Sequence, residues 1–344
     1  MKRHVLSMVA LVGVLLAGCA SNSPPASSPQ GPATIKISLP GLKPAFAQSD
    51  IAVAQANGFF AQQRLTVQVQ GLSAGTATMQ SVIAGDSDIG GSSVEPVLGT
   101  ADAAGLVIIG SYADRLPVVL ETPSSIANPA GLKGKSLGIQ AVGAFREIMT
   151  RAVYQSGHLE PSDVHYVNVA DTGYVGYLLT HKIDSAVLQQ EQSIDAEARD
   201  PGLHGLTDLY QLWPDYIYGT YFVKSGWLAS HRDVAVRFLT AITQAHRLIY
   251  SQRATVVPQI AAATGYPVAE IDRAYTRLIA QNGVFPVNQG LEPERFTYTL
   301  ACMRQIGGLL PNGPPDLDKV VDRSLMDTVV TNLGGPMTGD PRWH

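Results

Sequence analysis

Two cysteines in 344 residues are too few for a disulfide scaffold. Charge is scarce as well. Asp, Glu, Lys and Arg make up 15% of the chain, against roughly 25% in typical soluble proteins. The surface must therefore be solvated mainly by Ser, Thr, Gln, Asn and Gly. With 24 basic and 28 acidic residues the net charge is −4 and no basic stripe appears, which excludes a nucleic-acid partner. Low net charge beside 45% apolar residues also excludes intrinsic disorder. Residues 5–17 form an apolar run of 13, short of the ~20 needed to span a membrane. No Walker sequence is present, so this chain supplies no ATP hydrolysis of its own. At about 150 residues per domain, the length suggests two lobes.

The amino terminus carries the clearest positive signal. Lys2 and Arg3 precede the apolar run, and Leu16-Ala17-Gly18-Cys19 follows it. Small residues at that point fit secretory cleavage, and the four-residue sequence resembles a bacterial lipoprotein box. Residues 1–18 are read as a signal peptide and Cys19 as the lipidated new terminus, anchored by several acyl chains. Loss of Lys2 and Arg3 takes the net charge from −4 to −6. Residues 19–33, rich in Ser, Pro, Ala and Gly, read as a flexible tether. Cys302 is then the only remaining thiol, in a helical apolar pattern that predicts a small buried core residue.

Beyond residue 33 strands and helices alternate. Strands are predicted at 34–39, 65–69, 88–90, 106–110, 136–139, 164–169, 183–188 and 216–223, by period-two alternation or by short apolar runs between glycines. Helices are predicted at 49–57, 76–84 and 145–155, each followed by a glycine stop, and at 174–180. Residues 71–75 read as a small-residue turn. Ser230-His231-Arg232-Asp233 matches a capping box ahead of a long amphipathic helix, with two more helices at 270–279 and 295–305. Alternation of this kind implies βαβ units and parallel sheets. A faint repeat is visible: residues 82–89 and 178–185 both place an apolar helix end four residues before a strand-opening Asp, Asp88 or Asp184.

Four segments carry a family resemblance. Residues 51–60 (IAVAQANGFF), the Ala84-Gly85-Asp86-Ser87-Asp88-Ile89 turn, residues 131–139 (GLKGKSLGI) and the late strand and helix at 223–249 resemble, in order, periplasmic solute-binding proteins of the nitrate/sulfonate/taurine and thiamine-precursor type. The likeness runs from about residue 34 to 250. One departure is His181, which stands where the family's helix usually ends in Gly; no neighbouring residue has metal-ligand spacing, and a surface histidine is expected. The resemblance implies an α/β fold of the type II-like periplasmic-binding-protein kind, two lobes joined by two crossing strands near Leu120 and Thr220. Lobe one is expected at 34–121 plus 222–344 and lobe two at 122–221. The implied function is a lipid-anchored, extracytoplasmic, monomeric subunit of an ABC importer, working with separate permease and ATPase subunits and needing no cofactor or metal.

Ligands of open α/β sheets sit beyond the carboxyl ends of the strands. That rule selects Phe46 and Gln48, then Ser73, Gly75 and Thr76, then Ser92 and Ser93, and Tyr112, in the first lobe. In the second it selects Gly143 and Phe145, Asp171 and Thr172, and Gln189 and Glu191, with Tyr216 and Tyr218 beside the return crossing. Aromatic and hydroxyl groups with a few acids favour a planar nitrogen heterocycle, such as a thiamine-precursor pyrimidine, stacked on rings with its N–H groups accepted by carboxylate. A sulfonate, taurine or nitrate-type anion held by backbone amides is the close alternative, with Arg115 and Arg146 the nearby cations. Two other classes compete. Gly71-Leu72-Ser73-Ala74-Gly75 fits the strand–turn–helix elbow of a serine hydrolase, but the late histidines His231, His246 and His344 do not follow strands. A structural lipoprotein without ligand is the third reading.

Overall fold

The computed structural model describes residues 31–344 except 171, 311, 341 and 344. The signal peptide, Cys19 and the tether to residue 30 lie outside the described residues, as does Asp171. Strand β1 (Ala33–Pro40) buries Ile35, Ile37 and Leu39, as its alternation predicts. Parallel strand β2 (Leu65–Leu72) lies beside it, from Ala33 opposite Leu65 to Pro40 opposite Leu72. The strand thus continues through two residues expected in the turn. Gly71 permits this, because a Cβ there would stand 2.2 Å from the Gly41 carbonyl oxygen. Strands β3 (Ile89–Ser93) and β4 (Leu106–Ala113) are buried along their whole length.

Six more strands follow: β5 (Val118–Pro123), β6 (Ser136–Ile139), β7 (His165–Asn168), β8 (Ser185–Gln189), β9 (Leu203–Asp208) and β10 (Gly219–Lys224). They form two sheets of the same plan, β2-β1-β3-β10-β4 and β7-β6-β8-β5-β9. In each sheet one strand donated from elsewhere in the chain runs antiparallel, β10 between β3 and β4 and β5 between β8 and β9. The chain passes to the second sheet between Ala113 and Val118 and returns between Asp208 and Gly219. Both crossings therefore precede the expected points: Leu120 is already inside β5 and Thr220 inside β10.

The faint repeat has a physical basis. Asp88 Oδ2 accepts the Lys36 N–H at 2.8 Å, while the Asp88 N–H donates to the Lys36 oxygen at 2.9 Å. Asp184 does the same to Ser136, at 2.8 and 2.7 Å. Each Asp clips the strand it opens, β3 or β8, to the parallel neighbour, β1 or β6. The preceding helix Gly75–Ala84 ends in Gly85 at φ +84, and its counterpart Tyr174–Leu179 leads to His181 at φ +54. The exposed His181 thus occupies a left-handed position that glycine fills freely and other residues fill at a cost of roughly 1 kcal/mol.

Several elements escaped the pattern. Helix Val94–Ala104 contains Pro96 and Gly99, which disguise it, although proline is tolerated in a first turn. Helix Gln190–Arg199, strand β9, and helices Arg253–Thr264 and Ser324–Asn332 likewise lack a clear pattern. The long helix starts at Ser225, a turn before the expected cap, and breaks locally at His231 (φ −129). Ser230 Oγ meets the Trp227 oxygen at 3.2 Å and His231 Nδ1 at 2.9 Å, so it performs no capping box; Asp233 pairs with Arg237 instead. This helix covers the first sheet with Phe238 and Leu239, the latter against Gly110. Cys302 is buried on helix Pro293–Ile306, and burial pushes its thiol up to about 11.

Candidate functional site

Where the carboxyl ends of β1, β2 and β3 face those of β6, β7 and β8, the chain encloses a cavity of 590 Å³. Eleven of the residues expected from the strand-end rule line it: Gln48, Ser73, Gly75, Thr76, Ser93, Gly143, Phe145, Thr172, Gln189, Glu191 and Tyr218. Three helices open on it, at Gly75, Phe145 and Gln190. Their first N–H groups have no intrahelical partner and carry partial positive charge.

Local chemistry explains each wall. Gly75 has no Cβ because one would fall 2.2 Å from Ser92 Oγ, so the first helix can start directly against β3. Gly143 turns at φ +80 and donates its N–H to Glu147 Oε2 at 3.0 Å. Burial pushes the Glu147 carboxyl up, but Arg151, the Gly143 N–H and the Tyr166 hydroxyl outweigh it and hold the group below its usual range. That anchored loop presents Phe145, whose ring lies 4.8 Å from Tyr218. Gln189 Nε2 donates to the Tyr218 hydroxyl at 3.2 Å, and burial pushes that phenol up to about 12. Gln189 Oε1 is buried without a hydrogen-bond partner. Arg146 is buried in the wall: its guanidinium donates to the Val187 oxygen and to Gln192 Oε1, and lies 4.3 Å over the Tyr174 ring. Glu191 is 2% exposed and accepts the Phe46 N–H at 3.0 Å; burial pushes its carboxyl up.

Four expected residues are not brought to the cavity. The Phe46 ring packs in the core against Phe285 and Tyr275, at 6.3 and 6.5 Å. Ser92 stands behind Gly75, because β3 extends three residues further than its pattern suggests. Tyr112 lies within β4, fully buried, against the site of the missing Gly219 side chain. Tyr216 stacks on Trp213 at 5.1 Å and gives its hydroxyl to Glu95 Oε1 at 2.6 Å. Arg115 also points elsewhere, to the Asn282 oxygen and over the Tyr210 ring.

Sequence reasoning missed Lys43, Asp195, Arg199 and Tyr266 on the rim. Asp195 and Arg199 pair at 3.2 Å, a helical spacing that is visible once helix Gln190–Arg199 is known. Tyr266 follows Gly265 at φ +82 in the helical carboxyl-terminal part, where no strand end points to it. Ser73 lines the cavity, but no histidine does among the described residues. His246 is buried, 3.3 Å from Asp50 and 2.7 Å from the Pro286 oxygen, and His231 stacks on Trp227. His344 lies outside the described residues.

Two matching sheets with a cleft between their carboxyl ends define the type II-like periplasmic-binding-protein fold. Solved structures share it. The alkanesulfonate-binding protein SsuA from Xanthomonas axonopodis pv. citri, bound to MOPS, is 18% identical, with a TM-score of 0.67 over 87% of this chain and 98% of that one. The aliphatic sulphonate-binding SsuA from Escherichia coli is 15% identical, with a TM-score of 0.69 over 84% and 92%. The nitrate-binding protein NrtA from Synechocystis PCC 6803 is 14% identical, with a TM-score of 0.70 over 87% and 89%. No curated protein matches the chain by sequence. Residues 46–254, more than half of the chain, match the family described as NMT1/THI5 like, and the chain belongs to that family.

Proposed function

We propose that this chain is the extracytoplasmic solute-binding subunit of an ABC importer, held at the cell membrane by lipid on Cys19. The observation that carries the reading is the 590 Å³ cavity, lined from both sheets at the ends where α/β proteins take ligands. A solute touching both sheets favours the closed cleft by its differential contacts, and the loaded form docks on separate permease subunits. Among the described residues no histidine lines the cavity with Ser73, which weighs against hydrolysis, and a cavity with an unpartnered buried acceptor weighs against a purely structural role.

The solute class best supported is a planar nitrogen heterocycle. Phe145 and Tyr218 offer ring faces, while Gln189 Oε1 and the Glu191 carboxylate offer acceptors for N–H groups. Arg146, the buried cation of the wall, already serves Val187, Gln192 and Tyr174. A small oxyanion is the second reading, supported by the three helix amino termini and by the sulfonate- and nitrate-binding proteins of the same fold. Titration calorimetry with an aminopyrimidine, an alkanesulfonate and nitrate separates them. Heat from the pyrimidine, weakened about tenfold by Gln189→Ala, supports the first. Heat from the anions alone replaces it, and silence from a broad solute panel together with an ester turnover lost in Ser73→Ala overturns solute binding.

A further inference from the structure

The repeat extends into the cavity. Glu95 and Glu191 each stand seven residues after the strand-opening Asp88 or Asp184, at the second position of the helix that follows β3 or β8. Both are buried, yet they do different things. Glu95 accepts the Tyr216 hydroxyl on the return segment and does not line the cavity. Glu191 lines the cavity from the second sheet, and its Oε1 accepts the backbone N–H of Phe46, which follows β1 of the first sheet, at 3.0 Å.

That acceptor bond is well placed to transmit force. The Phe46 ring is fixed in the core by Phe285 and Tyr275, so its N–H cannot follow a retreating carboxylate. Elsewhere on the same helix, Arg277 reaches Gln190 Oε1 and Glu197 Oε2, each at 3.1 Å. The Arg277–Glu197 contact is a partly exposed ion pair of the kind that contributes little, and the Gln190 contact, though Gln190 is buried, joins this helix to the carboxyl-terminal helices and not to the turn after β1. The Glu191 bond is buried, and its loss would leave the Phe46 N–H without its acceptor inside the wall.

We propose that Glu191 is the positioning residue that holds the cleft closed, by joining the helix after β8 to the turn after β1. The purpose of the latch rests on the solute-binding reading, but its test needs no solute. Leu42 and Val142, 83% and 73% exposed, stand on the matching loops after β1 and β6. Spin labels on Leu42→Cys and Val142→Cys in the full lipidated chain therefore report the opening of the cleft by electron–electron distance measurement. Cys302 is buried and its thiol is pushed up to about 11, so it does not compete for label.

The unsubstituted latch should give one short separation. Glu191→Gln keeps a carbonyl acceptor and should stay short. Glu191→Ala removes the acceptor and Glu191→Asp withdraws it by one methylene; both should shift to longer separation. In those two variants the Phe46 amide should exchange about tenfold faster, as loss of one buried hydrogen bond implies. If Glu191→Ala fails to fold, Glu191→Asp carries the same reading. A Glu191→Asp or Glu191→Ala protein as closed as the parent overturns the latch, and so does a Glu191→Gln protein as open as the alanine variant.

Discussion

Glu121 offers a direct check on the electrostatics of the second sheet. It sits in β5 between Ala186 of β8 and Gly205 of β9, fully buried. Burial pushes its carboxyl from 4.5 up to about 7; Ser193, which donates to Oε2 at 2.8 Å, offsets only part of this, and Glu197 adds to it against Arg277. Between those two values the folded chain holds a proton that the unfolded chain has released. Stability is therefore fully present below pH 4.5 and is lost as pH rises through about 7. At about 1.4 kcal/mol for each pH decade, the loss is about 3 kcal/mol. Glu121→Gln keeps the shape and cannot ionise, so its stability relative to the parent should climb by about 3 kcal/mol between pH 4.5 and pH 8. Urea unfolding at half-unit pH steps measures the difference, and every other titrating group is common to both proteins. A difference that stays constant across that range refutes the assignment.

Three further outcomes follow from the geometry. Gly75→Ala places a Cβ 2.2 Å from Ser92 Oγ and should cost about 1–3 kcal/mol; adding Ser92→Ala should recover most of it in thermal melts, whereas Gly71→Ala, aimed at the Gly41 backbone oxygen, should have no such side-chain rescue. His181→Gly relieves the left-handed backbone at φ +54 and should stabilise by roughly 1 kcal/mol in the same melts. Cys19→Ala should move the protein from the membrane to the soluble extracytoplasmic fraction and abolish incorporation of labelled palmitate; membrane retention of that variant would remove the lipid anchor from the proposal.

What the sequence made legible was whatever repeats or alternates. Ile35, Ile37 and Leu39 announce β1, and Asp88 and Asp184 announce two strands by the same clip on Lys36 and Ser136. The strand-end rule then brought residues to one cavity without any contact being known, because β1, β2 and β3 of one sheet and β6, β7 and β8 of the other end there. It failed at Ser92 and Tyr112 because glycine and serine in β3 and polar residues in β4 conceal how far a buried strand runs; register with β10 decides that, and β10 lies over a hundred residues away. It failed at Tyr266 because the residue comes from a helical segment with no strand to index it. Glu191 marks the boundary most sharply. Its place at a strand end was readable, and its chemistry was not, since a glutamate after a strand is in most settings a solvated first-turn residue. Only the approach of the Phe46 N–H from the other sheet turns that carboxylate into a bridge, and a contact 145 residues away in the chain leaves no local sequence signal.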